Sequence, residues 1–430
     1  MERKHIACCS NLSQILSVAA ILAGLSISSS ALATETVLHS FVGSDGSQPT
    51  AGLTPDGAGN YYGTTLIGGI FGFGTVFELS PGSGGGWTET VLYNFTGTAD
   101  GSQPASGVVR DSSGNLYGST EFGGTYCPSD GCGVIFKLSK SDGQWKETVL
   151  YTFTGGIDGG FPNGVVLGPQ DNIYGSAGTG GSLGNGVVFE VSRNSGGGWT
   201  QSVIYNFTGG TGGGRAPNGT LTLDSFGRLY GTTDYSGTTG GGIVFRLTRS
   251  KTGVWTESLL HSFTLLNGSV PNGGLVLDSA GNIYGTTQAG GDTAGCDGFG
   301  CGLVFRLSPK AGGEWEETVL YEFTRGTDGG YPQDGLVMDG SGNLYGTTDG
   351  GGNPNFCGGQ NGCGVVFEVS PGSTGYTESV LHEFIDSDGA FSGAPLTRDS
   401  SGNLFGTTFD GGILTDCSGV GCGVVFEVTP

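Results

Sequence analysis

Five aspartates stand directly before a glycine, in the related phrases DGSQP, DGGFP, DGGYP and DGAFS. They are Asp45, Asp100, Asp158, Asp328 and Asp388. Carboxylate oxygens are ligands that Ca²⁺ prefers, so these residues are candidate Ca²⁺ ligands, although the chain lacks EF-hand spacing. An Asp-Gly turn explains the same pattern without any ligand. Both interpretations remain open, and beyond Ca²⁺ the sequence indicates no cofactor.

Histidine chemistry has little support. His39, His261 and His382 share a repeat position that holds tyrosine elsewhere, as in Tyr93 and Tyr151. A residue that exchanges with tyrosine is expected to pack rather than to react. We therefore expect neither a Ser-His-Asp nor a Cys-His constellation, and we predict that the protein is not an enzyme.

Eight cysteines form four local pairs, each in a glycine-rich loop. The pairs are Cys127/Cys132, Cys296/Cys301, Cys357/Cys363 and Cys417/Cys422. A structural zinc site needs four ligands that converge, whereas these pairs lie in different repeats. In an exported protein, an even number of locally paired cysteines predicts disulfides.

The elements that carry these residues are repeated. The phrase DSSGNLYGST at residues 111–120 returns in near-copies, whose Tyr-Gly or Phe-Gly is found at Tyr62, Tyr117, Tyr174, Tyr230, Tyr284, Tyr345 and Phe405. Each full repeat holds four short segments rich in β-branched and aromatic residues, such as GVVRD, NLYGST, GVIFKLS and KETVLYTF. Four strands per unit at this long period predict the blades of a β-propeller.

The repeated phrase itself predicts a hairpin. Asp111 is expected to form an Asx-turn, and Gly114 supplies the residue with positive φ. Side chains alternate along a strand, so Leu116 and Tyr117 should face opposite neighbouring blades.

The two ends of the chain complement each other. Residues 34–41, TETVLHSF, read as a fourth strand without the first three, whereas residues 394–429 contain three strands without a fourth. Pairing the two ends would remove two open sheet edges. We predict an all-β, seven-bladed β-propeller of four-stranded blades, a single domain over residues 34–430, closed when the N-terminal strand completes the last blade.

Departures from the repeat indicate where a ligand binds. Copies five to seven carry long cysteine-bearing loops at residues 288–301, 349–363 and 409–422. Function often resides in such loops on a repeated scaffold, although tolerated insertions are the alternative. The candidate ligand-face residues are Asp292, Asp297, Phe299, Asn355, Phe356, Asp410 and Asp416.

Composition limits the partners and the compartment. The net charge is −22 and the sequence has no basic patch, which argues against nucleic acid. Residues 1–33 read as a secretory signal peptide: a charged start, a short apolar run from Ile15, and a small-residue end at Ala33. That run is too short to span a membrane. We expect a monomer exported to the periplasm or the extracellular space, with no transmembrane segment.

The linked phrases GNLYGTT, GGGWTETVLYNF and DGxxPxxGLVxD resemble those of the GloVer (Gloeo-Verruco) tandem-repeat family of bacterial exported proteins. The resemblance covers residues 34–430. It implies export and tandem repetition, and it implies no established catalytic activity. It also implies surface anchors after the repeats, a feature that this chain, ending on its last strand, does not display.

Three functions fit the sequence. The favoured one is a secreted, non-enzymatic binding or scaffold module for a glycan, peptide or cell-envelope partner. The second is a Ca²⁺-assisted carboxylate hydrolase or lyase that acts on an extracellular polymer at the central channel. The third is a purely structural extracellular protein. The enzyme ranks lower because the aspartates are repeat positions, with no unique cluster to act as acid and base.

Overall fold

The computed structural model describes residues 33–127, 130–294, 296–359 and 362–430. Ala33–Pro430 form one compact unit, and its strands form seven four-stranded antiparallel sheets. The prediction of an all-β, seven-bladed propeller is confirmed. The predicted signal peptide, apart from Ala33, lies outside the described residues. None of the described residues belongs to a helix with the length and hydropathy that a membrane crossing requires.

The strands follow one another blade by blade. The first strand is β1 (Thr34–Ser40). Blade 1 contains β2 (Thr54–Pro55), β3 (Tyr61–Thr65), β4 (Thr75–Pro81) and β5 (Trp87–Asn94). Blade 2 contains β6 (Val109–Arg110), β7 (Leu116–Thr120), β8 (Val134–Ser141) and β9 (Gln144–Thr152). Blade 3 contains β10 (Gly160–Leu167), β11 (Ile173–Thr179), β12 (Val187–Arg193) and β13 (Trp199–Asn206).

The remaining blades repeat this order. Blade 4 contains β14 (Gly214–Leu223), β15 (Leu229–Ser236), β16 (Ile243–Arg249) and β17 (Trp255–Ser262). Blade 5 contains β18 (Val276–Leu277), β19 (Ile283–Thr287), β20 (Leu303–Pro309) and β21 (Trp315–Glu322). Blade 6 contains β22 (Val337–Met338), β23 (Leu344–Thr347), β24 (Val365–Gly372) and β25 (Gly375–Glu383). Blade 7 contains β26 (Thr397–Arg398), β27 (Leu404–Thr407), β28 (Val424–Thr429) and the N-terminal β1. Short 3₁₀ turns lie at Pro169–Asp171, Gly210–Gly212, Cys296–Gly298, Cys357–Gly359 and Cys417–Gly419.

The ring closes through β1, as the complementary ends predict. β1 pairs antiparallel with β28, with Thr34 opposite Thr429 and Ser40 opposite Val424. Both edges that an open chain would leave unpaired are thereby covered. Blade 7 therefore joins the two ends of the sequence in one sheet.

The hairpin phrase folds as its residue types predict. The Asp111 carboxylate accepts hydrogen bonds from Ser113 N and Asn115 N, each at 2.9 Å. Gly114 has a φ of 85°, a conformation that glycine adopts at little cost. Leu116 packs in the cluster shared with blade 1, and Tyr117 packs in the cluster shared with blade 3.

Phenylalanine pairs hold neighbouring blades together. The phenylalanine that follows each fourth strand meets one on the third strand of the next blade, with ring centroids 5.0 to 5.2 Å apart. The pairs are Phe41–Phe77, Phe95–Phe136, Phe153–Phe189, Phe207–Phe245, Phe263–Phe305, Phe323–Phe367 and Phe384–Phe426. Their edge-to-face packing adds to the free energy gained from burying the rings. The core therefore lies between the blades.

The four predicted disulfides are confirmed. They are Cys127–Cys132, Cys296–Cys301, Cys357–Cys363 and Cys417–Cys422. In each pair the second cysteine is buried and anchors the loop to its blade. Disulfides persist in oxidising compartments, so the fold fits an extracellular protein.

Candidate functional site

The predicted aspartates lie in the loops between the fourth strand of one blade and the first strand of the next. Tyr93 Oη and Thr96 N donate hydrogen bonds to Asp100 Oδ2, at 3.0 and 2.9 Å. Burial would raise the pKa of Asp100, but the hydrogen bonds from Thr96 and Tyr93 outweigh it and hold the pKa below its usual value. Asp158 and Asp328 accept equivalent bonds. These carboxylates hold their own loops in place.

Asp45 and Asp388 meet histidines instead of tyrosines. His39 Nε2 lies 3.1 Å from Asp45 Oδ2, and His382 Nε2 lies 3.3 Å from Asp388 Oδ2. Both histidine rings also pack edge-on against a phenylalanine two residues later, which agrees with the packing role expected from the sequence. Among the residues that the structure describes, no group of three potential metal ligands contains two of the five aspartates. The structure therefore does not gather them into one Ca²⁺ site.

We call the interface between two neighbouring blades a seam. At each seam, the loop that enters a blade faces the fourth strand of that blade, and this strand carries a glutamate at six of the seven seams. The glutamates are Glu35, Glu89, Glu147, Glu257, Glu317 and Glu378, and blade 3 has Gln201 at this position. The Oε1 atom of each glutamate is buried without a hydrogen-bond partner. Burial raises the pKa of Glu147 from 4.5 to about 7, and the nearby Asp100 charge adds to this. These glutamates are a repeated feature that the sequence analysis did not identify.

We expect Glu147→Gln to stabilise the protein at pH 8 by about 1 kcal/mol, a value reduced for partial solvent exposure. Because the folded-state pKa is raised to about 7, the stability that the proton provides is complete below pH 4.5 and is lost as pH rises through 7. Glutamine needs no proton, and it occupies this position naturally at Gln201. Urea unfolding at pH 5 and pH 8 measures the effect. An equal change at both pH values would show that the protonation of Glu147 is not the cause of the stabilisation.

The cysteine-bearing loops share one face with the aspartate loops, since isolated bridges such as Gly330–Gly350 and Ala390–Asp410 connect the two sets. The predicted ligand-face residues are dispersed there. Phe299 is 64% exposed, Phe356 packs against the core between blades 6 and 7, and Asp410 lines a central cavity. The other four predicted residues lie in the loops and are not among the described residues that line this cavity: Asp292, Asp297, Asn355 and Asp416. The binding role of this face stays a prediction.

The central cavity has a volume of about 720 Å³ and takes residues from all seven blades. We call it the axial chamber. Its polar lining includes Glu121, Asn163, Asn218, Asn272, Gln333, Asp334, Asp349 and Asp410. Apolar surface comes from Leu66, Phe391 and Phe409. The ionisable residues of this lining are all acidic, so the chamber is a polar pocket with acidic walls.

The chamber narrows at a waist where neighbouring blades touch through glycine, at or just before their first strands. A methyl group on Gly107 would lie 2.8 Å from Gly52 O, and one on Gly219 would lie 2.2 Å from Asn272 O. Asp334 stands at this waist and also lines a smaller cavity of about 280 Å³ beyond it. Burial raises the pKa of Asp334 to about 7, despite hydrogen bonds from the backbone of Gly335 and Gly274.

A second buried carboxyl lies beside the chamber amides. Asn218 Nδ2 donates to Asp234 Oδ2 at 3.4 Å, and the Asn272 amide, with its nitrogen turned toward Asp234, donates to Oδ1 at 3.0 Å. Burial raises the pKa of Asp234 to about 6. Two amides, and a carboxyl that gains or loses its proton near pH 6, thus lie along one side of the chamber. Such groups donate and accept hydrogen bonds in the pattern that hydroxyl-rich ligands require.

The chamber has a signal in the sequence. The repeated Gly-Thr-Thr motif reads Gly-Ser-Thr in blade 2 and Gly-Ser-Ala in blade 3, and the residue after it varies much more widely: Leu66, Glu121, Gly178, Asp234, Gln288, Asp349 and Phe409. Four of these seven residues line the chamber, in blades 1, 2, 6 and 7. Variation at a fixed point of a repeated scaffold marks a position that the fold itself leaves free.

Comparison with solved structures identifies other proteins with this fold. An ancestral GH74 enzyme has a TM-score of 0.51 and 12% identity, over 89% of this chain and 48% of that chain. An ulvan lyase bound to a GlcA(1-4)Rha3S saccharide has a TM-score of 0.50 and 12% identity, over 86% and 90%. The extracellular domain of a putative one-component system from B. thetaiotaomicron has a TM-score of 0.50 and 9% identity, over 91% and 40%. At these identities the likeness concerns the fold alone.

Sequence comparison is more specific. No curated protein is similar in sequence to this chain. The family model of the Gloeobacter/Verrucomicrobia repeat matches residues 25–213, 128–357 and 258–430, which together include every blade. The chain therefore belongs to the Gloeobacter/Verrucomicrobia repeat family.

Proposed function

We propose that the protein is an exported, non-enzymatic module that binds a neutral, hydroxyl-rich glycan in the axial chamber. The observation that carries the proposal is the chamber itself, a cavity of about 720 Å³ lined by amides, carboxyls and two phenylalanines. Its volume lies within the range of small-molecule sites, roughly 300–1,000 Å³. A chain end or a short branch of a polysaccharide fits a space of this size.

The lining supports a saccharide over the other partners considered. Asn218 and Asn272 are fixed by hydrogen bonds near Asp234, so they are ordered before a ligand arrives. Preordered polar groups lose less conformational entropy on binding. Phe391 and Phe409 offer apolar faces against which the C–H surface of a sugar ring can pack.

Charge favours a neutral ligand. The chamber includes Glu121, Asp349 and Asp410, and the net charge of the chain is −22. A polyanionic polymer would be repelled at the face and would lose its hydration on entry without a cation to pair with. We therefore expect retention by neutral glycans and none by sulfated or uronate-rich ones.

An enzyme is the second candidate, because Asp234 and Asp334 have pKa values raised to about 6 and about 7 by burial. A carboxyl with a pKa near neutrality is suited to general acid or base catalysis. Released product in the experiment below would favour this candidate.

The test incubates the protein with a panel of neutral and anionic polysaccharides, with and without Ca²⁺, and scores both retention and released product. Phe409→Ala removes an apolar face of the chamber, and Ala105→Trp fills part of its volume. We expect each variant to weaken retention by about tenfold or more, which corresponds to about 1.4 kcal/mol. Phe299→Ala, on an exposed cysteine-bearing loop, is the matched control and should bind normally.

Each other outcome overturns a part of the proposal. Retention that survives both chamber variants but is lost in Phe299→Ala would place binding on the cysteine-bearing loops. A requirement for Ca²⁺ would restore the aspartate loops as ligands. Retention by none of the glycans would favour the purely structural function.

A further inference from the structure

Two seams bring a histidine, an aspartate and a glutamate together, and both involve the closing strand β1. At the seam of blades 7 and 1, the cluster is His39, Asp45 and Glu89. At the seam of blades 6 and 7, it is His382, Asp388 and Glu35. In each cluster one ligand atom from every residue lies within 4.8 Å of the others. We call these the closure clusters.

Polar atoms in the closure clusters are buried and unsatisfied. The Oε1 atoms of Glu35 and Glu89 are shielded from solvent and have no hydrogen-bond partner. His382 Nε2 is also shielded, and although it lies 3.3 Å from Asp388 Oδ2, the two atoms are not aligned for a hydrogen bond. A buried carboxylate oxygen without a donor costs free energy unless a proton or a cation reaches it. The partner that completes these clusters must therefore be positively charged or donate a proton.

The seam between blades 4 and 5 has an amide where the closure clusters have an aspartate, and this amide gives one oxygen of Glu317 a donor while Glu317 Oε1 stays without a partner. There His261 faces Glu317, but an asparagine replaces the aspartate. Asn267 Nδ2 donates to Glu317 Oε2 at 2.7 Å and lies 3.2 Å from His261 Nε2. The amide nitrogen thus occupies the space between histidine and glutamate. In the closure clusters an acceptor-only carboxylate stands where this donor would be.

The seams that carry a tyrosine in place of the histidine, which we call the tyrosine seams, differ from the closure clusters in another way. At the seam of blades 1 and 2, the Tyr93 hydroxyl donates to Asp100, so one carboxylate oxygen already has its partner. A phenol offers no nitrogen ligand, and only Asp100 and Glu147 remain to approach a metal ion. The histidine and aspartate occur together, opposite a glutamate, only at the two closure clusters among the described seams.

We propose that each closure cluster binds one divalent transition-metal ion, such as Zn²⁺. Imidazole nitrogen and carboxylate oxygen are both ligand types that zinc takes, and a water molecule would complete its four-coordinate shell. Ca²⁺ fits less well, because it takes six to eight oxygen ligands. The ligand atoms of each cluster, which lie within 4.8 Å of one another, need only a small closing movement. Ligand atoms at about 2.0–2.2 Å from zinc lie roughly 3–3.5 Å apart.

The two ions would tie the closing strand to both of its neighbours. Glu35 and His39 both belong to β1, while His382 is on blade 6 and Glu89 is on blade 1. A metal that binds only the closed ring stabilises that ring by a free energy that grows with the logarithm of the metal concentration relative to its dissociation constant. Metal binding is therefore expected to strengthen the one blade that is assembled from both ends of the chain.

The test measures zinc binding to the whole protein after chelator treatment, by calorimetric titration and by thermal unfolding. His39→Tyr and His382→Tyr place at each cluster the residue found at the tyrosine seams, so both variants should fold. We expect two zinc ions per wild-type chain, one in each single variant and none in the double variant. The zinc-dependent rise in Tm should fall in the same order. His261→Tyr is the matched control and should leave two sites.

Three results would overturn the proposal. The first is the absence of zinc binding to the wild-type protein at micromolar zinc. The second is a stoichiometry that stays unchanged in the double variant or falls in His261→Tyr, which would show that other groups bind the metal. Titration with Mg²⁺ and Ca²⁺ separates a transition-metal site from general attraction of cations to an acidic protein, and equal affinity for all three ions would also contradict it.

Discussion

A chain that lacks residues 34–41 is expected to lose most of its stability. The deletion removes β1, leaves β28 as an exposed edge and takes away Phe41, which is fully buried against Phe77. Leu38 and Phe41 together contribute roughly 3–6 kcal/mol through burial alone. The loss of the strand pairing adds to this, and the sum is comparable with the whole stability of an ordinary domain, about 5–15 kcal/mol.

Urea unfolding followed by circular dichroism measures the effect. Thr36→Ala, an exposed position on the same strand, is the control and should change the unfolding free energy little. A synthetic peptide of residues 34–41 should restore part of the stability at high concentration, because it can pair with β28. An unchanged unfolding midpoint in the deleted chain would contradict the closure of the ring through β1.

Gly346→Ala is expected to cost about 1–3 kcal/mol, the usual range for adding a methyl group to a filled core. Gly346 is the glycine of one Tyr-Gly motif, and a methyl group there would lie 2.6 Å from Phe367 Cζ and 2.9 Å from Leu336 Cδ2. These atoms belong to the packed interior of blade 6, which has little room to adjust. The same approach of the third-strand phenylalanine recurs at every Tyr-Gly or Phe-Gly of the ring.

Gly340 gives the matched control, since a methyl group there meets nothing within 4 Å. Gly340→Ala should be neutral or slightly stabilising, because alanine reduces the freedom of the unfolded chain. The urea midpoints of the two variants decide the question. Equal midpoints would show that the repeated glycine is kept for a reason other than close contact with the phenylalanine ring.

The architecture could be predicted from the sequence because each blade depends on local signals that recur. The Asp111 turn, the alternation of Leu116 and Tyr117, and the cysteine pairs all involve residues close in sequence. The ring closure is a long-range contact, yet the incomplete repeats at the two ends were enough to predict it. Because the repeats are regular, counting the strands in each repeat was enough to predict which distant strands pair.

The axial chamber was harder to predict because its residues come from different blades and are separated by whole repeats. Asn218, Asp234 and Asn272 approach one another only when the inner strands of blades 4 and 5 lie side by side. The seam glutamates were missed for a similar reason. Glu89 and Glu147 lie within the constant phrase TET or KET, and only the fold shows that each faces a carboxylate of the preceding loop.

The proposed function depends most on ligand binding in the axial chamber. The most direct measurement is a crystal structure of the protein with a neutral oligosaccharide that it retains. We expect saccharide density inside the chamber, with a sugar ring against Phe391 or Phe409 and hydroxyls within hydrogen-bond distance of the chamber amides. Density over the cysteine-bearing loops, with an empty chamber, would contradict it.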